Sequence, residues 1–139
     1  MRSPVLSDTG PFPRDARVRQ RWEYRKIHRE GARVHTPSFT IVARPTLADA
    51  GARMGCAVSR KVGNAVVRNR IRRLLKEMFR RLRSDLPDVD YVFIAKPEAR
   101  ALVVGGLGAL VDELLGPIEV AGRRAFAPRR PRPRGKRKK

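Results

Sequence analysis

Between Gly63 and Arg83 the apolar residues recur at the period of an α-helix, and the rest of the chain has to be arranged around the element they predict. At 100° per residue Val67, Ile71, Leu74, Leu75, Met78 and Leu82 share one stripe, with Phe79 at its edge. Gly63 and Asn64 supply a break and an N-cap, so the helix is predicted to begin close to Ala65. The opposite face carries Asn69, Arg72, Arg73, Lys76, Arg80 and Arg83, with Arg68 and Arg70 on its flanks. Glu77 is the only acid in the segment and stands four residues from both Arg73 and Arg81. A helix of about 19 residues spans about 28 Å, long enough to follow several phosphates of a nucleic acid. Like charges at four-residue spacing destabilise a helix unless something neutralises them. Guanidinium forks also bind phosphate bidentately and stack on bases, which an ammonium cannot do. The face is built to meet a polyanion.

Charge over the whole chain agrees. The 139 residues carry a formal charge of +20, which puts nucleic acid first among partners and an anionic membrane surface second. Ten Lys or Arg and no acid lie from Arg123 onward, leaving 23 basic against 13 acidic residues on the body. The body is therefore basic without its tail. No apolar run approaches the roughly 20 residues of a membrane span, and the N-terminus has no signal-peptide core. Cys56 is alone in an apolar run and is expected to be a buried, inert thiol in a reducing cytoplasm. One Cys and two separated His residues assemble no structural zinc site.

In chain order, residues 1–16 hold three prolines and little periodicity, and read as a flexible arm. Val18 to Glu30 is predicted to be a short amphipathic helix stopped by Gly31, with Tyr24 and His28 on one face. Strands are predicted from Phe39 to Ala43 and from Met54 to Ser59, with a loop from Arg44 to Gly51 between them. Tyr91 to Ala95 is a continuous apolar run, the mark of a strand buried on both faces. A last helix is expected from Arg100 to Leu115, bent or frayed near Gly105, Gly106 and Gly108 and ended by Gly116-Pro117. The result is one RNA-binding α+β domain over residues 17–122, with a disordered basic tail over 123–139. Its order is α-β-β-α-β-α, a small mixed sheet packed with helices, with room for a further short strand near Arg33–His35.

No constellation for chemistry stands out. The acids are scattered singly, no Gly-rich loop has phosphate-binding spacing, and no Ser or Cys sits beside a plausible base. Bottom-up, the chain binds RNA or DNA and cleaves nothing itself. A sequence-specific DNA reader would need a recognition helix with fewer redundant charges.

The run from Gly55 through Arg68-Asn69-Arg70 to Phe79 closely resembles the signature of the bacterial ribonuclease P protein subunit. The match extends to Tyr24, Gly31, Phe39 and Asp90–Ala95, covering roughly residues 17 to 116. The resemblance implies the fold of the second domain of ribosomal protein S5, with a left-handed β-α-β crossover, against the usual right-handed rule. It implies a protein cofactor of a ribozyme that removes the 5′ leader of precursor tRNA. Catalysis would reside in the RNA, and Mg²⁺ would be held mainly by that RNA, with no cofactor bound by the protein. The implied partners are the catalytic RNA and precursor tRNA, in a monomeric 1:1 protein–RNA complex in the cytoplasm, with no membrane and no obligate protein partner. Contact with the RNA subunit would fall to Arg60, Lys61, Arg68, Asn69, Arg70, Arg72, Arg73 and Lys76. Tyr24, His28, Phe39 and Ser59 would line a cleft for the leader. His28 stands where the family usually has Phe, and Val42 where an aromatic is common, so leader stacking is expected to be weaker here. The competing class is a general RNA-binding or ribosome-associated chaperone with no role in tRNA cleavage; such a protein has no need of the spaced set Gly63-Asn64, Arg68-Asn69-Arg70 and Phe39.

Overall fold

The computed structural model describes residues 16–48 and 51–127. The proposed N-terminal arm, apart from Ala16, and most of the basic tail lie outside the described residues. Seven main elements follow in order: α1 (Arg21–Glu30), β1 (Ala32–His35), β2 (Phe39–Pro45), β3 (Arg53–Ala57), α2 (Ala65–Leu82), β4 (Val89–Ala95) and α3 (Leu102–Phe126). The strands form one mixed α+β sheet in the order β1-β2-β4-β3. β2 runs antiparallel to both neighbours, while β3 and β4 are parallel, joined by α2 as the crossover.

Both faces of this sheet are covered, and unequally. Phe39, Ile41 and Ala43 of β2, Tyr91, Phe93 and Ala95 of β4, and Met54 of β3 form the main core with α2 and α3. Phe79 of α2, placed at the edge of the apolar stripe by periodicity alone, is fully buried there. It meets Tyr91 edge-on at a centroid distance of 5.9 Å and Phe93 at 6.5 Å. On the other face Val42 and Val92 pack against Ile27 of α1 and against Val18. The central strand β4 thus buries side chains in both directions, as its unbroken apolar run demands.

α1 starts at Arg21, three residues later than its periodicity suggests. Arg17 bridges to Met54 and the Val18 N–H donates to the Met54 carbonyl at 2.8 Å, so this stretch runs along the free edge of β3 and cannot be helical. The helix opens where Gln20 N–H donates to the Glu23 carboxylate at 3.2 Å. Gly31 ends it with φ −78°, an ordinary conformation. Glycine is needed there because a Cβ would fall 2.6 Å from Val42 Cγ1. β2 extends through Pro45, beyond the last residue paired with β1, where a missing N–H costs no ladder bond on that side. β3 is shifted toward earlier residues than expected, β4 begins earlier at Val89 but ends at Ala95 as expected, and β1 confirms the short extra strand.

α3 departs furthest. It bends where foreseen, at Gly106 with φ 71°, but it continues through Gly116-Pro117 to Phe126. Burial of Ile118, Ala121 and Ala125 against the sheet offsets the roughly 3 kcal/mol that an internal proline costs. Arg123 and Arg124 therefore belong to this helix, and Arg124 Nη1 donates to the Arg33 carbonyl at 3.2 Å. By length and mean hydropathy the segment Pro97–Phe126 could cross a bilayer, contrary to expectation. Its break at Gly106 and its packed row of Leu110, Leu114 and Ile118 are those of a helix laid on a sheet.

One buried charge cluster fastens α1 to this framework. Arg53 Nε and Nη2 donate to the two oxygens of Asp90 at 2.9 and 2.8 Å, and Nη2 also reaches Glu23 of α1 at 3.0 Å. Asp90 additionally accepts from Thr46 Oγ1 and the Leu47 N–H. Asp90→Ala should cost about 3–5 kcal/mol in urea unfolding, since it leaves Arg53 buried with only Glu23 as partner. A loss below about 1 kcal/mol would mean that water or Glu23 alone satisfies Arg53.

Candidate nucleic-acid interface

β3 delivers the chain into a tight turn, where Val62 N–H donates to the Ser59 carbonyl at 3.1 Å and the Lys61 backbone N–H to Ser59 Oγ at 3.3 Å. α2 then begins at Ala65, capped by Asn64, whose Oδ1 accepts from Val67 N–H at 3.0 Å. No acid occupies the first turn, where acids normally offset the helix dipole. The N-terminal partial positive charge is left to add to the side chains around it.

Those side chains divide into braces and free cations. Arg68 Nε donates to the Gly63 carbonyl at 3.1 Å, and Arg72 reaches Asn69 Oδ1 at 2.8 Å and the Val58 carbonyl at 3.4 Å. These two arginines tie the helix to the turn that precedes it. Glu77 pairs with Arg80 and Arg81, each at 2.6 Å, and leaves Arg73 alone. Arg83 donates to the Ala52 carbonyl at 2.8 Å and closes the far end of α2 onto β3. The side chains of Arg60, Lys61, Arg70, Arg73 and Lys76 make no ion pair or hydrogen bond with any described residue. Arg60 and Lys61 precede the uncompensated N-terminus of α2, and Arg70, Arg73 and Lys76 continue the unpaired charge along the helix, an arrangement chemically suited to phosphate.

The sheet supplies the second half of the site. Tyr24 of α1 is half-buried with the phenol end of its ring against Gly55, where any Cβ would strike it, and burial raises its phenol above the ordinary value. His28, one turn on, is exposed; its Nδ1 lies 3.1 Å from Arg33 Nη2, which also donates to the His28 carbonyl at 2.9 Å. α1 therefore lies over the cross-strand row Arg33, Val42, Val92 and Gly55. The next row on the same face is His35, Thr40, Ile94 and Ala57, one residue from each strand in register. His35 and Ala57 are exposed and Ile94 is half-exposed, while Thr40 is buried, with His35 Nδ1 3.1 Å from its Oγ1. Along the strand direction this row is bounded by α1 on one side and by exposed Ser59 and the Arg60–Lys61 turn on the other.

Phe39 does not belong to this site. It points to the opposite face, is 0% exposed within the α2–α3 core, and cannot stack on a base. Its position at the start of β2 concealed which face it takes. Val42 is also 0% exposed, closed over by α1, so its missing ring alters how closely the helix sits and removes no accessible aromatic surface. The open row was not foreseen, because its members share a surface only through the strand register.

Cys56 is on the core face and half-buried; burial pushes its thiol up, opposed by the nearby charges of Arg72 and Lys76. Among the described residues no three His, Cys, Asp or Glu side chains come together to hold a metal. A cavity of about 410 Å³ opens at the other end of α2, lined by Leu82, Leu86, Leu115, Ile118 and Phe126 among others, remote from the basic turn. Gly55→Ala should cost about 1–3 kcal/mol by overpacking Tyr24, and most of that loss should vanish in the Gly55→Ala, Tyr24→Ala double variant. A loss in thermal unfolding that persists without the Tyr24 ring would place the crowding elsewhere.

Comparison with known proteins gives a consistent match. A family model described as Ribonuclease P matches residues 12–118. The ribonuclease P protein component of Desulfovibrio desulfuricans is 46% identical over 90 residues, covering 63% of this chain and 69% of that protein. That of Vibrio vulnificus is 37% identical over 108 residues, covering 77% and 91%. Among solved structures, the Staphylococcus aureus RNase P protein aligns with a TM-score of 0.67 at 25% identity, over 77% of this chain and 97% of that one. The Thermotoga maritima RNase P protein gives 0.67 at 27% identity, over 75% and 96%.

Proposed function

The chain belongs to the ribonuclease P protein family, the protein component of a tRNA-processing endoribonuclease, and from that premise we propose that it is the cofactor of a catalytic RNA that cuts the 5′ leader from precursor tRNA. In this reading the RNA holds the Mg²⁺ and performs the cleavage, and the chain's own residues bind and orient. One protein docks on one RNA in the cytoplasm. The observation that carries the reading is the continuity of two surfaces: an open apolar-polar row of the sheet, and a set of unpaired cations that starts at the Arg60–Lys61 turn bounding that row and runs on along α2 through Arg70, Arg73 and Lys76.

The cations suit the folded RNA subunit. Its phosphates are fixed in space, and Arg60, Lys61, Arg70, Arg73 and Lys76 meet them from a turn and helix that Arg68 and Arg72 hold rigid. Asn69, its carbonyl oxygen already taken by Arg72, keeps its amide hydrogens for an acceptor on the RNA. The row suits the leader, which is single-stranded and variable in sequence. Ile94 and Ala57 offer apolar floor, Tyr24 and His28 the ring edges of one wall, and Ser59 with Arg60 the polar wall opposite. Stacking and electrostatic tracking of this kind tolerate sequence change.

Arg70→Ala and Arg73→Ala together should leave the fold intact, since neither side chain has a partner in it. The log–log salt dependence of binding to the RNA subunit should flatten by about 0.7–0.9 for each phosphate that is no longer neutralised. Cleavage of precursor tRNA at limiting Mg²⁺ should lose most of its stimulation by the protein. An unchanged slope in a folded variant removes these residues from the interface, and stimulation independent of the leader favours a general RNA chaperone.

A further inference from the structure

The outer face of α1 carries a surface that the reading above leaves unused. Because Glu23, Tyr24 and Ile27 turn toward the sheet, Arg21, Trp22, Arg25 and Arg29 lie on the outward arc of the helix. Trp22 is the chain's single tryptophan and is 54% exposed. Arg21 and Arg25, both exposed, make no ion pair or hydrogen bond with any described residue through their side chains. The acids of α1 are engaged elsewhere, Glu23 on Arg53 and Glu30 on Lys26 and Arg44, with Arg29 at 3.8 Å from Glu30. Arg21, Arg25 and Arg29 therefore repeat at four-residue spacing with little to neutralise them, around an indole that stands out in water. An aromatic plane set among guanidinium forks binds a single strand, the plane taking a base and the forks its phosphates.

Position on the fold selects the strand. Round the helix, Tyr24 and His28 border Arg21 and Arg25, so a chain lying in the open row meets the outer face of α1 as soon as it passes His28. α2 packs on the opposite face of the sheet from α1 and the row, so RNA docked on its free cations does not reach Trp22 without passing round the edge of the sheet. We propose that the outer face of α1 is a second contact for the 5′ leader: nucleotides that extend beyond the row cross α1, one base stacking on Trp22 and the phosphates on Arg21 and Arg25. The proposal rests on the leader occupying the row.

The test uses the full chain with its RNA subunit and precursor tRNAs whose leaders increase in length. Trp22 emission should be quenched only when the leader is long enough to leave the row. Trp22→Ala should weaken binding of the long-leader precursor by roughly 5- to 160-fold, the range of one stacked base, and Trp22→Phe should recover most of it. Mature tRNA and short-leader precursor should bind the Trp22→Ala variant as they bind the parent. Equal weakening with mature tRNA, or with the RNA subunit alone, would overturn the proposal in favour of contact with folded RNA. No weakening with any RNA would leave α1 as a solvated face. Tyr24→Ala separates the two levels: if it weakens short-leader binding while Trp22→Ala is silent, only the extension over α1 fails. If both are silent, the row itself is not the leader site.

Discussion

Arg53 is the point on which the arrangement of this molecule depends. It is 5% exposed, bidentate to an Asp90 that is wholly buried, and shared with Glu23 of α1. Burying a cation costs several kcal/mol of lost hydration, and the pair is net favourable only with close geometry and a full set of hydrogen bonds. That requirement fixes α1, β3 and β4 relative to one another more narrowly than apolar packing does, since apolar contacts tolerate sliding. With α1 pinned over one row of the sheet, His35, Ile94 and Ala57 of the next row stay accessible. The accessible part of the sheet is thus a consequence of where an ion cluster stops a helix.

A second constraint operates in α2, where the arginines do two kinds of work. Arg68 and Arg72 reach back to backbone carbonyls, and Arg80 and Arg81 neutralise Glu77. They set the stiffness and the register of the helix, leaving Arg60, Lys61, Arg70, Arg73 and Lys76 to face a partner. Repulsion among those cations destabilises the free protein, and in the proposed complex phosphates would relieve it. On the proposed function, part of the affinity for RNA would be stored in the fold as unneutralised charge.

Much of this was legible in the sequence because it is local. The α2 stripe, its start at Ala65 after the Asn64 cap, the doubly buried β4 and the bend among the α3 glycines all follow from periodicity or residue type. The family signature lay in the same local run. What the sequence hid depends on partners distant along the chain. Phe39 reads as an available aromatic until β2 is paired and its ring turns to the core. Pro117 reads as a stop until Ile118, Ala121 and Ala125 find the sheet. The row of His35, Thr40, Ile94 and Ala57 draws on four strands whose order departs from their sequence order. Spacing alone also left Glu77 open to either Arg73 or Arg81; Arg81 and Arg80 both reach its carboxylate, and they take all of it.

The central claim is that the single-stranded leader lies in the open row between α1 and the basic turn. The most direct measurement is site-specific photo-crosslinking in the assembled holoenzyme, with a photoreactive side chain at exposed Ala57 and precursor tRNA labelled in its leader. Crosslinks are expected from position 57 to the leader, and none to the leader from the same group at Val104, which is 92% exposed on α3. Crosslinks from position 57 confined to the RNA subunit, or leader crosslinks from position 104, would contradict it.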